Sequence, residues 1–92
     1  MTDTSEYDDG AALLETLGEL LTHRHQSVSD VARWFTFGHL EGTARLTSQE
    51  VCRTAVGMLL TIPDSAELTA ALRKLLEAKD AFVRAAIAGE VF

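Results

Sequence analysis

Leu68-Thr69-Ala70-Ala71-Leu72-Arg73-Lys74-Leu75-Leu76-Glu77-Ala78-Lys79-Asp80-Ala81-Phe82-Val83-Arg84-Ala85-Ala86-Ile87-Ala88 is the stretch that decides the fold. At about 100° per residue, Leu68, Leu72, Leu75, Leu76, Phe82, Val83, Ala86 and Ile87 gather in one broad apolar arc, the pattern of an amphipathic helix. Arg73, Glu77, Asp80 and Arg84 recur on the opposite face as an alternating-charge stripe that reads as a solvated, self-paired surface. Lys79 breaks the pattern by projecting from the centre of the apolar arc. A cation there can snorkel to the edge of the packed surface, pair with a carboxylate from a neighbour, or reach an anion held between subunits. Pro63 and Asp64 end the element before, Asp64 or Ser65 can cap, Glu67 suits the first turn and Gly89 offers a left-handed stop, so the helix spans about residues 66–88.

Upstream, Thr47 and Glu50 form a capping-box pattern for a helix over about 47–62, with Val51, Cys52, Ala55, Met58, Leu59 and Ile62 on one face. Val56 and Leu60 fall toward its other side and leave apolar surface over. The connection through Pro63 is short enough for an antiparallel helical hairpin. Further back, Leu13, Leu14, Leu17, Leu20 and Leu21 predict a first helix from about Gly10 to His23, capped by Asp8 or Asp9. Gly18 in its interior costs about 1 kcal/mol relative to Ala, so packing is expected to hold it. Ser27 to Asp30 starts a short second helix carrying Val31, Trp34 and Phe35, and Gly38 and Gly42 bracket a loop. No period-two alternation long enough for a strand occurs. The class is all-α: a hairpin domain over 35–92, accessory N-terminal helices over 10–34, and an acidic, disordered tail over 1–9.

A chain of 92 residues with 47% hydrophobic content buries too little surface to be generously stable alone, which favours an oligomer. Its single cysteine, Cys52, permits neither an intrachain disulfide nor a cysteine-based zinc cluster and fits a reducing compartment. No apolar run approaches the length of a bilayer span, and the N-terminus is acidic where a secretion signal is basic, so the expected location is the cytoplasm. Asp3, Glu6, Asp8, Asp9, Glu15 and Glu19 account for the whole net charge of −6, because the acids and bases from residue 23 onward cancel. That balance argues against nonspecific DNA or membrane binding, yet it leaves room for a local anion site in the neutral remainder. Arginines outnumber lysines, and guanidinium suits phosphate.

Catalytic patterns are absent. His23 and His25 are two apart and diverge on a helix, no HExxH or carboxylate-histidine spacing accompanies them, and no metal is expected. Cys52 lies on an apolar face, where a free cysteine is a small buried hydrophobe. The glycines are isolated, so no phosphate-binding loop forms, and the serines suit caps and loops. No triad follows from them, and neither enzyme nor cofactor is expected. What remains is Arg33-Trp34-Phe35-Thr36-Phe37-Gly38-His39-Leu40. Its aromatics can be a hydrophobic plug that docks the first helices on the hairpin, or a platform for nucleobases with Arg45 and Arg53 holding phosphates.

The order Phe35-x-Phe37-Gly38-His39-Leu40, a helix, a proline turn and then the string from Leu72 to Ala86 resembles a group of small actinobacteriophage proteins. More distantly it looks like the phage anti-CBASS cyclic-oligonucleotide sponges, inert helical hexamers that sequester cyclic dinucleotides and trinucleotides. The resemblance covers residues 35 to 87. Sponges carry Phe-x-Tyr-Arg-x-Leu where this chain has Phe35-Thr36-Phe37-Gly38-His39-Leu40, which implies Phe37 as the base-stacking aromatic. The hydroxyl is lost, and so is the arginine at Gly38, with His39 as a substitute. A basic residue early in the next sponge helix falls at Arg53 if one residue is inserted here. The terminal Leu-x-Arg-Ala pattern matches Phe82-Val83-Arg84-Ala85. Nothing in sponges matches residues 1 to 30.

The leading expectation is therefore a non-enzymatic, homo-oligomeric phage or prophage protein, a hexamer if sponge-like, that sequesters a cyclic oligonucleotide. Phe37, His39, Arg45, Arg53 and Arg84 are its candidate ligand contacts, with Lys79 at a subunit interface or second anion site. The alternative is a protein-interaction module that binds a host or phage protein through its acidic first helix and the apolar 47–62 helix.

Overall fold

Apolar side chains from every helix meet in one core, and the computed structural model, which describes the backbone of residues 5–91 and the side chains of residues 10–89, shows how each is delivered. In chain order the helices are α1 (Ser5–Leu21), α2 (Gln26–Ala32), a 3-10 turn (Arg33–Phe35), α3 (Gly42–Thr61) and α4 (Ala66–Val91). The protein is all-helical, with no strand among the described residues. Leu13 and Leu17 enter the core from α1, Val28, Val31 and Ala32 from α2, Phe35 from the 3-10 turn, Cys52, Ala55, Val56 and Leu59 from α3, and Leu68 and Leu72 from α4. The most extensive interface joins α3 and α4; α2 packs chiefly on α4 and α1 on α3.

Helix ends explain where the boundaries differ from the pattern in the sequence. At α4 the Ser65 hydroxyl accepts the Leu68 amide at 3.0 Å and Glu67 occupies the first turn, as the sequence predicts. The helix then runs through Gly89 to Val91, because the only positive-φ glycine among the described residues is Gly42, and Gly89 stays helical. Gly42, at φ 61°, lets the chain turn from the extended Glu41 into α3, so that helix starts well before the expected capping box and takes Thr47 and Glu50 into its interior. The end of α3 is as predicted: the Ile62 amide still reaches the Met58 carbonyl at 2.8 Å, and Pro63 follows. For α2 the cap is His25 instead of Ser27, its Nδ1 accepting the Ser27 amide at 3.1 Å. α1 begins at Ser5, ahead of Gly10, which leaves Asp8 and Asp9 inside the helix; residues 1–4 of the expected tail and the side chains of 5–9 lie outside the described residues.

Two connections, 22–25 and 62–65, are clasped together by Arg24. Its guanidinium donates to Asp64 Oδ1 at 2.5 Å, to the Leu59 carbonyl at 2.5 Å and to the Ile62 carbonyl at 2.6 Å. The last two oxygens lie at the end of α3, where carbonyls lack intrahelical partners and the helix dipole favours a cation. Asp64 completes the clasp by accepting the His25 amide at 2.6 Å. Ser29 does the same for α1, its hydroxyl donating to the Leu21 carbonyl at 2.9 Å.

Candidate functional site

The segment from Arg33 to Arg45 carries the aromatic and cationic residues singled out by sequence, and the fold sorts them by exposure. Val28, Val31, Ala32 and Phe35 follow one another at helical spacing and all point into the core, which turns Trp34 outward. Phe35 and Phe37 are fully buried, whereas Trp34 is 58% exposed. The docking-plug reading of these aromatics therefore describes Phe35 and Phe37. Phe37 is closed in from two sides: a Cβ on Gly10 of α1 would sit 3.7 Å from its ring, and the Arg45 guanidinium lies 5.7 Å from its centroid. It presents no open face to a base in this conformation. Trp34 carries the matching contact at the surface, with the Arg33 guanidinium 5.2 Å from its ring centroid.

The other candidates are spread over the molecule. His39 is exposed in the turn after Phe37, and Arg45 is half-buried near the start of α3. Arg53 pairs with Glu50 one turn earlier on α3. Lys79 is buried on α4, its Nζ 3.0 Å from Asp80 of the same helix, and Arg84 is exposed farther along. Phe37 and Arg45 are thus brought together by direct contact, whereas Arg53, Lys79 and Arg84 lie on helix positions of their own.

Two open grooves flank α1. The smaller, about 390 Å³, has Leu14, Leu17 and Leu21 along one wall and Arg33, Thr36 and His39 along the other. Of the six sequence candidates, His39 alone lines either groove. The larger, about 670 Å³, is bordered by Glu15, Glu19, Leu20 and His23 of the α1 end and by Leu60 of α3. Gly18 lines both, and a Cβ placed on it would meet nothing within 4 Å, so α1 is held by its buried Leu13 and Leu17 and not by contacts at the glycine itself. Arg24 also borders the larger groove, but its donors are turned to the clasp.

Chemically, the described residues offer cation–aromatic surfaces. Cys52 is fully buried and its thiol is pushed up to about 11 by loss of solvent, against a smaller opposing pull from Arg53, so it is protonated at neutral pH. No group of His, Cys, Asp and Glu among the described residues could hold a metal ion, and no described helix is long and apolar enough to cross a membrane. Sequence reasoning missed Arg24 as an organising residue, because its partners are 35–40 residues away, and it did not separate the exposed Trp34 from the buried Phe37. The helical spacing of Val28, Val31 and Phe35 held the signal for Trp34. No family model, curated protein or solved structure matches this chain.

Proposed function

We propose that the protein is a non-enzymatic phage or prophage anti-defence factor that binds and sequesters a cyclic di- or trinucleotide signal in the host cytoplasm. The observation that carries this reading is the exposed Trp34 ring with the Arg33 guanidinium 5.2 Å from its centroid, followed along the same short segment by the exposed His39 and the half-buried Arg45. An open planar ring takes a nucleobase and guanidinium groups take phosphate oxygens, so the two side by side suit a compact, multiply charged nucleotide. The resemblance of residues 35–87 to the sponges supports the same ligand class. In this reading α3 and α4 are the antiparallel hairpin of each subunit. Copies associate through the apolar surface of α4 beyond Lys79, where Phe82 and Ile87 are exposed, as a hexamer if the assembly is sponge-like. Arg53, Lys79 and Arg84 then serve a second anion site or the interface. Calorimetric titration of the purified protein with cyclic diadenylate, cyclic diguanylate and cyclic triadenylate tests the proposal, with binding and no turnover expected. Absence of heat with all three would overturn it.

A second reading is favoured by the larger groove. Its Glu15 and Glu19 border, with the exposed Leu60 opposite, suits a basic, amphipathic helix of a host or phage protein. That reading predicts that Leu60→Glu abolishes binding of the partner protein while nucleotide titrations remain silent.

A further inference from the structure

Trp34 is a large aromatic side chain largely left in solvent beside a groove, and no contact among the described residues beyond the Arg33 guanidinium accounts for it there. Deleting an exposed ring of this size would relieve an apolar surface at no expense to the core, which is already filled by Phe35 and Phe37. Its neighbour Arg33 links it to the smaller groove: the guanidinium lies 5.2 Å from the Trp34 ring centroid, and the same residue lines the groove with His39. From Trp34 the groups run ring, then guanidinium, and that guanidinium shares one wall of the trough with His39, opposite Leu14, Leu17 and Leu21. This order of groups matches one nucleotide unit, in which a flat, weakly polar base is followed by an anionic phosphate. Two alternatives fit less well. A purely apolar ligand leaves Arg33 and His39 without a role, and a simple inorganic anion leaves Trp34 without one.

We infer that Trp34, and not the enclosed Phe37, is the base-stacking residue, with Arg33 and His39 holding the adjoining phosphate at the mouth of the α1 groove. The inference rests on the nucleotide-binding reading above and names its site. It also gives the α1 helix a place in binding, since one wall of the trough belongs to residues that have no counterpart in the sponges.

The molecule carries its own probe, because Trp34 is the sole tryptophan of the chain. The test titrates the full-length protein with cyclic diadenylate, cyclic diguanylate and cyclic triadenylate, following heat and Trp34 emission in the same samples. Whichever of them binds is expected to quench the emission with the calorimetric midpoint. Trp34→Ala should weaken Kd by about five- to a hundredfold, the range for losing one stacked base. Trp34→Phe should recover most of that loss, and Arg33→Gln should weaken binding while flattening its dependence on salt. Circular dichroism should be unchanged in all three variants, since the substituted side chains are exposed. Heat without quenching, together with unaltered affinity in Trp34→Ala, would overturn this site and leave the nucleotide reading standing. No heat in the wild-type protein would overturn both.

Discussion

Replacing Arg24 with Ala removes the clasp between the two connections and should be the most destabilising single change outside the apolar core. Arg24 is only 12% exposed at its side chain, and two of its hydrogen bonds go to the Leu59 and Ile62 carbonyls at the end of α3. Hydrogen bonds to a charged partner contribute about 1.5–3 kcal/mol each. The lower figure applies here, because Ile62 is exposed and water can reach its carbonyl once the guanidinium is gone. The two carbonyl bonds then give a loss of about 3 kcal/mol, to which the exposed Asp64 arm adds a salt-sensitive increment. For a domain of this size each kcal/mol moves the melting temperature by about 4–8 °C, so a fall of about 12–24 °C is expected. Thermal unfolding followed by circular dichroism measures it. Arg24→Lys separates charge from geometry: an ammonium keeps the favourable position at the helix end but cannot donate in the fixed fork that serves three acceptors, and it should recover less than half of the fall. The loss in Arg24→Ala should also persist at high salt, where the Asp64 arm is screened and the carbonyl bonds are not. A fall below about 4 °C, less than 1 kcal/mol, would refute the clasp as an organising element.

Asp64 supplies a pH test of the same contact. The His25 amide, and secondly the Arg24 guanidinium, hold its carboxyl below the ordinary 3.8, so the stabilisation is present above that value and is lost as pH falls through the depressed one. Asp64→Asn should therefore melt below the wild type at pH 7, with the gap closing under pH 3.8; a gap that widens on acidification would contradict the assignment. Ser48 is fully buried and its Oγ has no hydrogen-bond partner among the described residues, so Ser48→Ala should raise stability by about 1 kcal/mol in a denaturant titration, and a loss would reveal an unseen partner. Cys52 should react with a thiol-disulfide reagent only in proportion to the unfolded fraction, and rapid labelling of the native protein would contradict its burial. Gly42→Ala places a Cβ at φ 61° and should cost about 1–2 kcal/mol, read as a lower urea midpoint with an unchanged slope.

How much of this fold is legible in the sequence depends on whether the signal is local. The α4 arc is local: Leu68, Leu72, Leu75 and Leu76 repeat at helical spacing, and Ser65 and Glu67 mark its start with side-chain chemistry that acts within one turn. The start of α3 is not, because Thr47 and Glu50 spell a capping box that Gly42 pre-empts by taking a left-handed φ, a choice the chain makes only once Glu41 is extended. His25 as a cap is a further case, since its ring nitrogen takes the role that the nearby Ser27 suggests by residue type. At the candidate site, the cationic and aromatic character of residues 33–45 is written plainly in the sequence. The exposure of Trp34 is also local, set by the helical spacing of Val28, Val31 and Phe35, whereas the burial of Phe37 is tertiary, because α1 closes over it beside Gly10. The Arg24 clasp depends on partners that only tertiary structure brings near, and no periodicity encodes it.

Lys79 is where the local pattern and the tertiary one part company. The apolar arc of α4 looks continuous in sequence, yet its first part is buried through Leu68 and Leu72 while Phe82 and Ile87, beyond Lys79, are 58% and 48% exposed. Within the chain the Lys79 Nζ lies 3.0 Å from Asp80 of the same helix, a pairing other than the carboxylate from a neighbour that the sequence suggests. Asp80 is itself exposed, so the pair keeps one foot in water and contributes about 1 kcal/mol or less. Its position matters more than its strength. A helix of 26 residues is about 39 Å long, comparable to the 40 Å longest extent of the molecule, so α4 outruns the helices that cover its first half. An uninterrupted apolar stripe over that length would leave nothing to say where the subunit's own core stops. Lys79, itself buried, stands between the buried Leu68 and Leu72 and the exposed Phe82 and Ile87, and a charge costs more than an apolar side chain to carry deeper into the core. The apolar residues past Lys79 stabilise the single chain little, and in the oligomer proposed above they are the surface that association would bury.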